Sequence, residues 1–379
     1  MSKNVKKSVS LVLAALLLSL CFVGCGSEPA PTEAPTAAPT EAPTAAPTEA
    51  PTEAPTEAPT EAPTEEPTEA PTEEPALYRN PLTGEIVDEP VTSRVFAFSI
   101  NNQIAALPHV GTQQADMLFE MYVNSYMTRC LALYTDFASV EAIGSVRSTR
   151  YNFTDICQGY DAFMVHVGAS NEVLADMRNA KIDNIGATGT DKFSYRDQQR
   201  RKNGVALEHT MMIDGPALYD YLVSEGKRVT ASEENKTYGL NFVEDGTPVG
   251  GEDANVITIT FRLSAESHKL SVMTYNEELG RYVYTQYGRD GSKDNPENFE
   301  NVFVLMAVVN NKGQYHIAEL IGTGDGYYAC NGKIIPIKWV RENESDPFTF
   351  TLADGTPLEQ GIGNSYLAIA PLKSTVEWE

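Results

Sequence analysis

The sequence predicts an α+β or α/β fold, with a mixed-sheet α/β domain followed by a β-rich, mostly antiparallel domain. Two observations support this prediction. After residue 76, apolar runs of strand length alternate with segments of helical spacing. From Asn255 onward, short β-rich runs are separated by turn residues, which is typical of antiparallel strands. About 300 residues also exceed one typical core, so two domains are expected.

The chain begins with an export signal. A basic start is followed by the apolar stretch 9–20, which is short for a membrane span, and by the lipobox-like run Phe22-Val23-Gly24-Cys25. We therefore expect residues 1–24 to be a lipoprotein signal peptide and Cys25 to carry the lipid. Plain signal-peptidase cleavage is the alternative. The mature protein is then expected on the extracytoplasmic face of the cell membrane, attached through its lipid anchor only.

A low-complexity repeat follows the signal, and we assign residues 25–76 to a disordered tether. Proline recurs at every fourth position from Pro31 to Pro75, twelve times in all, with threonine, glutamate and alanine between. Proline removes backbone donors and no apolar period exists, so an extended spacer results. At about 3.1 Å per residue it would reach on the order of 140 Å, enough to carry the body into a cell wall. A solubilising or O-glycosylated stalk is the alternative.

The composition limits the classes of ligand. The net charge is −24, and residues 1–75 hold three lysines and twelve glutamates, so the body carries −15. An acidic surface disfavours binding to nucleic acid, so an anion site must be local. Cys130, Cys157 and Cys330 lack the spacing of zinc ligands, and we expect no metal or cofactor. We expect buried thiols, with one disulfide as the alternative.

We place the first domain at 77–235, where apolar runs predict strands and helices. The predicted strands are 95–100, 117–123, 127–134 and 162–167. The apolar spacing of 153, 156, 157 and 160 predicts a helix for which Ser148 is the candidate N-cap. Ser170 precedes a predicted helix at 171–180, and Asp214-Gly215-Pro216 opens another at 217–225.

We place the second domain at 253–379, after the polar stretch that starts at residue 229. Its predicted strands are 256–261, 269–275, 281–287, 302–309, 315–321 and 333–340. The glycine-rich run Gly322-Thr323-Gly324-Asp325-Gly326 opens no helix. We therefore interpret it as a hairpin turn and not as a phosphate-binding loop.

Charged residues within apolar runs are candidates for chemistry. If Asn124-Ser125 forms a hairpin loop, Glu120 lies opposite Arg129, and a structural ion pair or the floor of a pocket is expected. Arg147 and Arg150 lie just before and within the first turn of the predicted helix. Cations there oppose the helix dipole unless an anion compensates them, so they predict an anion site. Salt bridges to Glu120 or Asp155 are the alternative.

Two histidines are candidates for acid–base catalysis or binding. His166 lies within the predicted strand 162–167, which leads through Gly168-Ala169 to Ser170 at a helix start, and such a strand end is where α/β proteins bind ligands. A core histidine and a capping serine are the structural alternatives. The pair Arg196-Asp197 and the run Arg200-Arg201-Lys202 precede His209 and form a second positive patch, for which an exposed loop is the alternative.

A series of motifs resembles the YerB-like lipoproteins built on the DUF3048 domain. The motifs, in order, are Asn80-Pro81-Leu82-Thr83-Gly84, Ile100-Asn101-Asn102, Ala115-Asp116 through Glu120, Thr128-Arg129, the run from Ile143 to Arg150, Tyr160-Asp161-Ala162 and the run from Val165 to Ser170. The resemblance covers nearly all of the chain after the tether and implies a lipoprotein with this two-domain plan. Ser145, Thr149 and Thr210 depart from the family pattern, which has Pro, Ala and Asn there.

Three functions remain open on the sequence. The leading hypothesis is binding of an anionic envelope component, such as a phosphate-bearing polymer, a lipid-linked precursor or a peptidoglycan carboxylate. Its candidate residues are Arg129, Arg147, Ser148, Arg150, His166, Ser170 and Arg196. The second is a hydrolase or transferase that uses His166 or His209 as base and Glu120 or Asp197 as orienting group. The third is a scaffold that docks proteins through the β-rich domain, without an indicated partner.

Overall fold

A large mixed sheet forms the centre of the fold and takes strands from both halves of the chain. The structure, a computed structural model, describes residues 77–124, 127–232, 238–264, 268–286, 289–290 and 297–379. The predicted signal peptide, Cys25 and the predicted tether lie outside the described residues.

The elements before residue 230 are mostly short strands with four α-helices among the described residues. The strands are β1 (Tyr78–Arg79), β2 (Ile86–Val87), β3 (Phe96–Asn101), β4 (Met117–Asn124), β5 (Met127–Tyr134), β6 (Ile143–Gly144), β7 (Phe163–His166), β8 (Asn184–Gly186), β9 (Ser194–Arg196) and β10 (Met211–Ile213). The helices are α1 (Tyr151–Gly159), α2 (Asn171–Asn179), α3 (Gln198–Lys202) and α4 (Gly215–Ser224). Single 3-10 turns occur at Ile104–Ala106, Thr112–Gln114 and Leu207–His209.

The described elements after residue 238 are all strands. They are β11 (Asn241–Val243), β12 (Glu252–Asp253), β13 (Val256–Arg262), β14 (His268–Asn276), β15 (Arg281–Gln286), β16 (Arg289–Asp290), β17 (Asn298–Phe299), β18 (Asn301–Ala307), β19 (Val309–Lys312) and β20 (Tyr315–Ala318). The remaining strands are β21 (Gly322–Cys330), β22 (Lys333–Arg341), β23 (Thr349–Thr351), β24 (Glu359–Gly361), β25 (Ser365–Pro371) and β26 (Thr375–Trp378).

The central sheet joins the two sequence segments. Its order is β12-β22-β21-β18-β25-β4-β5-β3-β7-β8, and β25 pairs in parallel with both β18 and β4. The described residues from 77 onward form one compact unit. The domain limits 77–235 and 253–379 stay a prediction, and we use them below as the first and second segments.

The central sheet has a hydrophobic core on each face, because its apolar side chains alternate between the two. On one face, Leu118 and Val304 pack with Ile259 of a second, antiparallel sheet of order β16-β15-β14-β13-β26. On the other face, Phe119 and Leu131 pack with apolar residues of α1 and α2. The predicted fold class, a mixed-sheet α/β part followed by a β-rich, mostly antiparallel part, is confirmed. All three cysteines of the body are buried and free.

Two local predictions were wrong. Helix α1 begins at Tyr151 with Arg150 at its N-cap, because Ser148 belongs to an extended segment that pairs with neighbouring backbone. The run from Gly322 to Gly326 lies within β21, where it pairs with β22. A Cβ atom on Gly324 would lie 2.4 Å from Nε1 of Trp339, so glycine here makes room for the indole and does not form a turn.

Candidate functional site

The candidate site lies where β3 and β7 separate at their carboxyl ends. The two strands run in parallel up to the pair Phe98 and Val165. Beyond that pair, the extended segment 145–149 enters between them: the N–H of Arg147 donates to Ser99 O at 2.7 Å, and the N–H of Val167 donates to Arg147 O at 3.0 Å. A crevice at the carboxyl ends of parallel strands is where α/β proteins place ligands.

Two arginines meet at one backbone carbonyl in this crevice. Arg129 lies near the start of β5, opposite Asn101, and its Nη1 donates to Ser148 O at 2.5 Å. Arg150 donates from Nη1 to the same oxygen at 3.3 Å and to Thr149 O at 2.8 Å. The hydroxyl of Ser148 donates to Val167 O at 3.0 Å. Ser148 therefore positions the two guanidinium groups through its carbonyl, while its hydroxyl fixes the segment.

Two further arginines hold neighbouring carbonyls of the turn Leu207–His209. Arg147 donates from Nη1 to Glu208 O at 3.3 Å, and Arg196 donates from Nη1 to Leu207 O at 2.9 Å. The two side chains are half-buried. The predicted arginines Arg129, Arg147, Arg150 and Arg196 therefore occupy one region of the molecule.

These guanidinium groups are crowded and lack acidic partners. Burial, together with the positive charges of Arg150 and Arg147, holds the pKa of Arg129 well below its usual range. Among the described residues, no carboxylate oxygen lies within 4.0 Å of a guanidinium nitrogen of Arg129, Arg147 or Arg150. The Nε atoms of Arg147 and Arg150 are buried without a hydrogen-bond acceptor. Positive charge is thus concentrated here without compensation from the protein.

The predicted pairing of Glu120 with Arg129 was wrong. Glu120 lies opposite Cys130, and Arg129 lies opposite Met121, with an irregularity in the register between Tyr122 and Asn124. A shift of one residue turns a side chain to the other face of a sheet. Glu120 therefore points toward the second sheet and away from the arginines.

Glu120 instead forms a buried ion pair with Lys269 on β14. The Nζ of Lys269 lies 2.5 Å from Oε1, and both side chains are fully buried. The carboxylate also accepts hydrogen bonds from five neutral side chains: Asn102, Thr128, Ser271, Tyr284 and Tyr366. Burial opposes ionisation, but Lys269 and these donors outweigh it, so the pKa of Glu120 lies below its ordinary value. This network joins the two segments and is structural.

Asp155, the other expected partner of the arginines, lies on the side of α1 that faces Arg341. Burial raises its pKa to about 6, although the charge of Arg341 opposes the shift. Arg341 itself is buried and donates to the carbonyl oxygens of Asp155, Glu344 and Asp346. Ionisation of Asp155 is therefore unfavourable in the folded protein. The arginine cluster, which we define as Arg129, Arg147, Arg150 and Arg196, does not offset this unfavourable free energy.

A pH-dependent contribution to stability follows from Asp155. Its folded pKa of about 6 exceeds the ordinary value of 3.8, so the folded state holds a proton that the unfolded state loses between these values. Stability should therefore fall as the pH rises from about 4 to 6. We expect Asp155→Asn to raise the free energy of unfolding at pH 7 by about 1–2 kcal/mol and to flatten this window. Denaturant melts at pH 4 and 7 measure it; equal effects at both values would contradict the assignment. The pKa of Asp116 is also raised to about 6, so the stability of the variant should still fall somewhat as the pH rises through this window.

His166 and Ser170 have structural partners. The Nε2 of His166 lies 3.2 Å from Asn184 Oδ1, and burial lowers its pKa. Ser170 caps α2, since its Oγ accepts from Val173 N. In the described part of the chain, neither side chain forms a hydrogen bond with the arginine cluster. Both residues lie near the carboxyl end of β7, and the Nδ1 of His166 is buried without a hydrogen-bond partner among the described residues. Their role in a ligand site stays a prediction.

His209 lies beside Arg147, but its orienting groups differ from the predicted ones. Its Nδ1 is 2.7 Å from Asn101 Nδ2, and its Nε2 is 3.6 Å from a carboxylate oxygen of Glu208. Asp197 instead caps α3 by accepting from the N–H groups of Gln199 and Arg200. Glu120 and Asp197 therefore do not orient a histidine among the described residues. Burial lowers the pKa of His209.

Asn101 was missed as a site residue by sequence reasoning. It ends β3 opposite Arg129 and contacts His209 from a distant part of the chain. Thr210 takes the position where the resemblance expects an Asn after His209, and the amide beside the imidazole comes from Asn101. A pair of asparagines at the end of an apolar strand was the available signal.

A separate cavity of about 210 Å³ lies at the opposite ends of β3 and β7. Its lining includes Arg94, whose guanidinium is paired with Asp161 and Asp183 at 3.2 and 2.6 Å. This cavity therefore has compensated charges, unlike the arginine cluster. Within the described ranges, no group of three or more His, Cys, Asp or Glu side chains is arranged to hold a metal ion.

The fold and site define a class of two-segment α+β proteins in which the second segment completes the sheet of the first. The chain belongs to the DUF3048 family. Residues 82–228 match the profile described as "Protein of unknown function (DUF3048) N-terminal domain", and residues 257–367 match that of the C-terminal domain. The predicted family is confirmed.

Similarity in sequence and in structure to one relative agrees with this assignment. The chain is 24% identical over 301 residues to "Putative lipoprotein YerB" of Bacillus subtilis (strain 168), covering 77% of this chain and 86% of the relative. The crystal structure of the YerB protein from Bacillus subtilis superposes with a TM-score of 0.66 at 21% identity, covering 79% of this chain and 99% of the other. The first similarity supports a lipoprotein, and the second shows the fold. None of the described helices has the length and apolar character needed to cross a membrane.

Proposed function

We propose that the protein binds an anionic component of the cell envelope through Arg129, Arg147 and Arg150. The observation that carries the proposal is the absence of acidic partners for these three residues in the described part of a body whose charge is −15. In such a body, carboxylates are abundant, and unpaired buried cations are unfavourable for folding. A bound anion would supply the missing charge.

The local backbone suits an oxyanion as well. Arg150 occupies the N-cap of α1 without a side-chain capping bond, so a cation stands where the helix dipole favours an anion. Guanidinium groups bind phosphate and carboxylate oxygens through paired N–H donors. Phosphate-bearing polymers, lipid-linked precursors and peptidoglycan carboxylates all offer such oxygens.

Ligand-dependent melting tests this proposal. A ligand that binds only the folded state stabilises it, by about 2.7 kcal/mol at a concentration one hundred times Kd. We expect an anionic cell-wall fraction to raise the melting temperature, and the same fraction with its phosphate groups removed to raise it less. No shift with either fraction would contradict the proposal, and equal shifts with both would identify carboxylates, not phosphates, as the groups bound.

A second candidate function is hydrolysis, and one observation favours it. His209 is buried and lies beside Arg147, and its Nδ1 accepts from Asn101 Nδ2, so the neutral ring carries its proton on Nε2. A proton donor next to an anion site is the arrangement of a general acid. Release of phosphate or of shortened polymer by the wild-type protein, lost in His209→Gln with binding unchanged, would favour this candidate over binding alone.

We propose that the lipid on Cys25 is what holds the protein to the membrane, with the body extended into the wall by the tether. We expect Cys25→Ser to leave the body folded and to release the protein from membranes, because the repeat has no apolar surface of its own. Membrane fractionation with radiolabelled palmitate measures the effect. Retention and labelling as in the wild type would exclude lipidation at Cys25.

A further inference from the structure

We infer that the anion site is a row of cations that continues onto the hairpin β19–β20, and that its ligand is a linear polymer of phosphate groups. This inference rests on the proposed function and deepens it. It adds Lys312 of the second segment at one end of the row and places Arg196 at the other end. The ligand would then lie across the strand ends where β3 and β7 separate and bridge both segments.

The first end of the row is built by two tyrosines. The guanidinium carbon of Arg150 lies 5.6 Å from the ring centre of Tyr315, and Nζ of Lys312 lies 4.3 Å from that of Tyr151. The two rings are 5.8 Å apart. Aromatic faces attract cations without neutralising them. Lys312 and Arg150 are thus held side by side with their charges available.

The hairpin that carries Lys312 is firmly attached to α1. The side chain of Asn152 donates to Ala318 O at 2.8 Å and accepts from Ala318 N at 2.9 Å, as a neighbouring strand would do. Tyr315 also pairs with Asn124 at the end of β4. These bonds fix the hairpin beside the arginine cluster, so that the site draws on both segments.

At the other end of the row, two arginines donate to adjacent backbone carbonyls of the same turn. Arg147 and Arg196 donate to the adjacent carbonyls of Glu208 and Leu207, and Arg147 lowers the pKa of Arg196 after burial does. Arg147 in turn adjoins Arg129 and Arg150 through Ser148. The order along the row is therefore Arg196, Arg147, the pair Arg129 and Arg150, and Lys312.

Acidic residues near the row leave its charge in place. Glu172 and Asp176 are close enough to Lys312 to interact electrostatically, and Glu208 lies beside His209. None of them, nor any other described carboxylate, lies within 4.0 Å of Lys312 or Arg196. A single oxyanion contacts only the cations that surround it, whereas a chain of phosphates can contact cations in sequence.

Inorganic polyphosphate of increasing chain length tests the inference on the folded body. We expect the affinity of the wild-type protein to rise from inorganic phosphate through tripolyphosphate to long-chain polyphosphate. We expect Lys312→Met and Arg196→Met each to weaken binding of the long chain about fivefold and to leave binding of inorganic phosphate unchanged. Lys338→Met is the matched control, because Lys338 is an exposed lysine on β22 paired with Asp325. It should alter neither affinity.

The outcomes separate the two proposals. If phosphate binds but affinity does not rise with chain length, or if both end variants bind the long chain as the wild type does, the row is wrong and the anion site stands. If neither phosphate nor polyphosphate binds, the inference is wrong, and the proposed function then requires a carboxylate ligand, which the wall fraction without phosphate tests. If vesicles with anionic phospholipid bind more tightly than polyphosphate, and Lys312→Met weakens that binding, the partner is a membrane surface and the polymer is excluded.

Discussion

Replacing Lys269 by methionine is expected to lower the free energy of unfolding by about 3–5 kcal/mol, because it leaves the carboxylate of Glu120 buried without its cation. Glu120→Gln is expected to have a similar effect for the reverse reason. The double variant should recover part of the loss, since the remaining polar groups are neutral. Denaturant melts of the four proteins give the coupling energy.

Two controls, one double variant and one single variant, make this cycle specific. Arg129→Met combined with Glu120→Gln should show almost no coupling, because the two side chains lie on opposite faces of the sheet. Lys338→Met should cost at most about 1 kcal/mol, because its partner Asp325 is exposed. A coupling energy near zero for Glu120 and Lys269 would show that this ion pair does not hold the two segments together.

Replacing Arg147 and Arg150 together by methionine is expected to abolish binding of the anionic wall fraction without lowering the melting temperature. The two cations face other cations and one helix N-terminus, so their removal relieves repulsion in the empty protein. Each lost charged hydrogen bond to a ligand typically costs about 1.5–3 kcal/mol, so two of them reduce affinity by more than a hundredfold.

The same double variant separates a ligand site from a structural one. Arg228→Met is a suitable control, because Arg228 forms bonds of 2.6 and 2.8 Å to Asp161 and belongs to a compensated cluster. It should lower stability slightly and leave anion binding intact. A double variant that melts several degrees lower and still binds the wall fraction would place Arg147 and Arg150 among the structural residues.

Local sequence patterns were sufficient to predict many of the strands and helix starts. Alternating and continuous apolar runs located β3, β4, β5 and β7 to within a residue or two, and Ser170 and Asp214 marked the starts of α2 and α4. These signals are local. A strand buried on one face has apolar residues at alternate positions, a strand buried on both faces has a continuous apolar run, and a helix cap needs a short polar side chain at one position.

Long-range pairing could not be predicted in the same way. The register of β4 and β5 depends on an irregularity between Tyr122 and Asn124 that no local pattern marks, so the sequence argument gave Glu120 the wrong partner. Lys269 reaches Glu120 only because the second sheet packs on the central one. Parallel pairing of β25 with β4 likewise joins distant parts of the chain.

The candidate site was predicted in part for the same reason. Arg129, Arg147 and Arg150 were proposed because charges in apolar runs and at helix starts are locally unusual. Arg196 was proposed because it belongs to a positive patch in an acidic body. Asn101, Lys312 and Tyr315 are ordinary in their own segments, and they join the site through the split of β3 and β7 and through the position of the β19–β20 hairpin.

A crystal structure of the folded body grown with tungstate tests the anion site most directly, because a tetrahedral oxyanion of strong anomalous scattering reports its own position. We predict an anomalous tungsten peak whose tungstate oxygens lie within hydrogen-bond distance of the guanidinium groups of Arg147 and Arg150, and no such peak in the double methionine variant. A wild-type crystal in which tungstate binds elsewhere and these arginines pair with carboxylates of the protein would contradict the account.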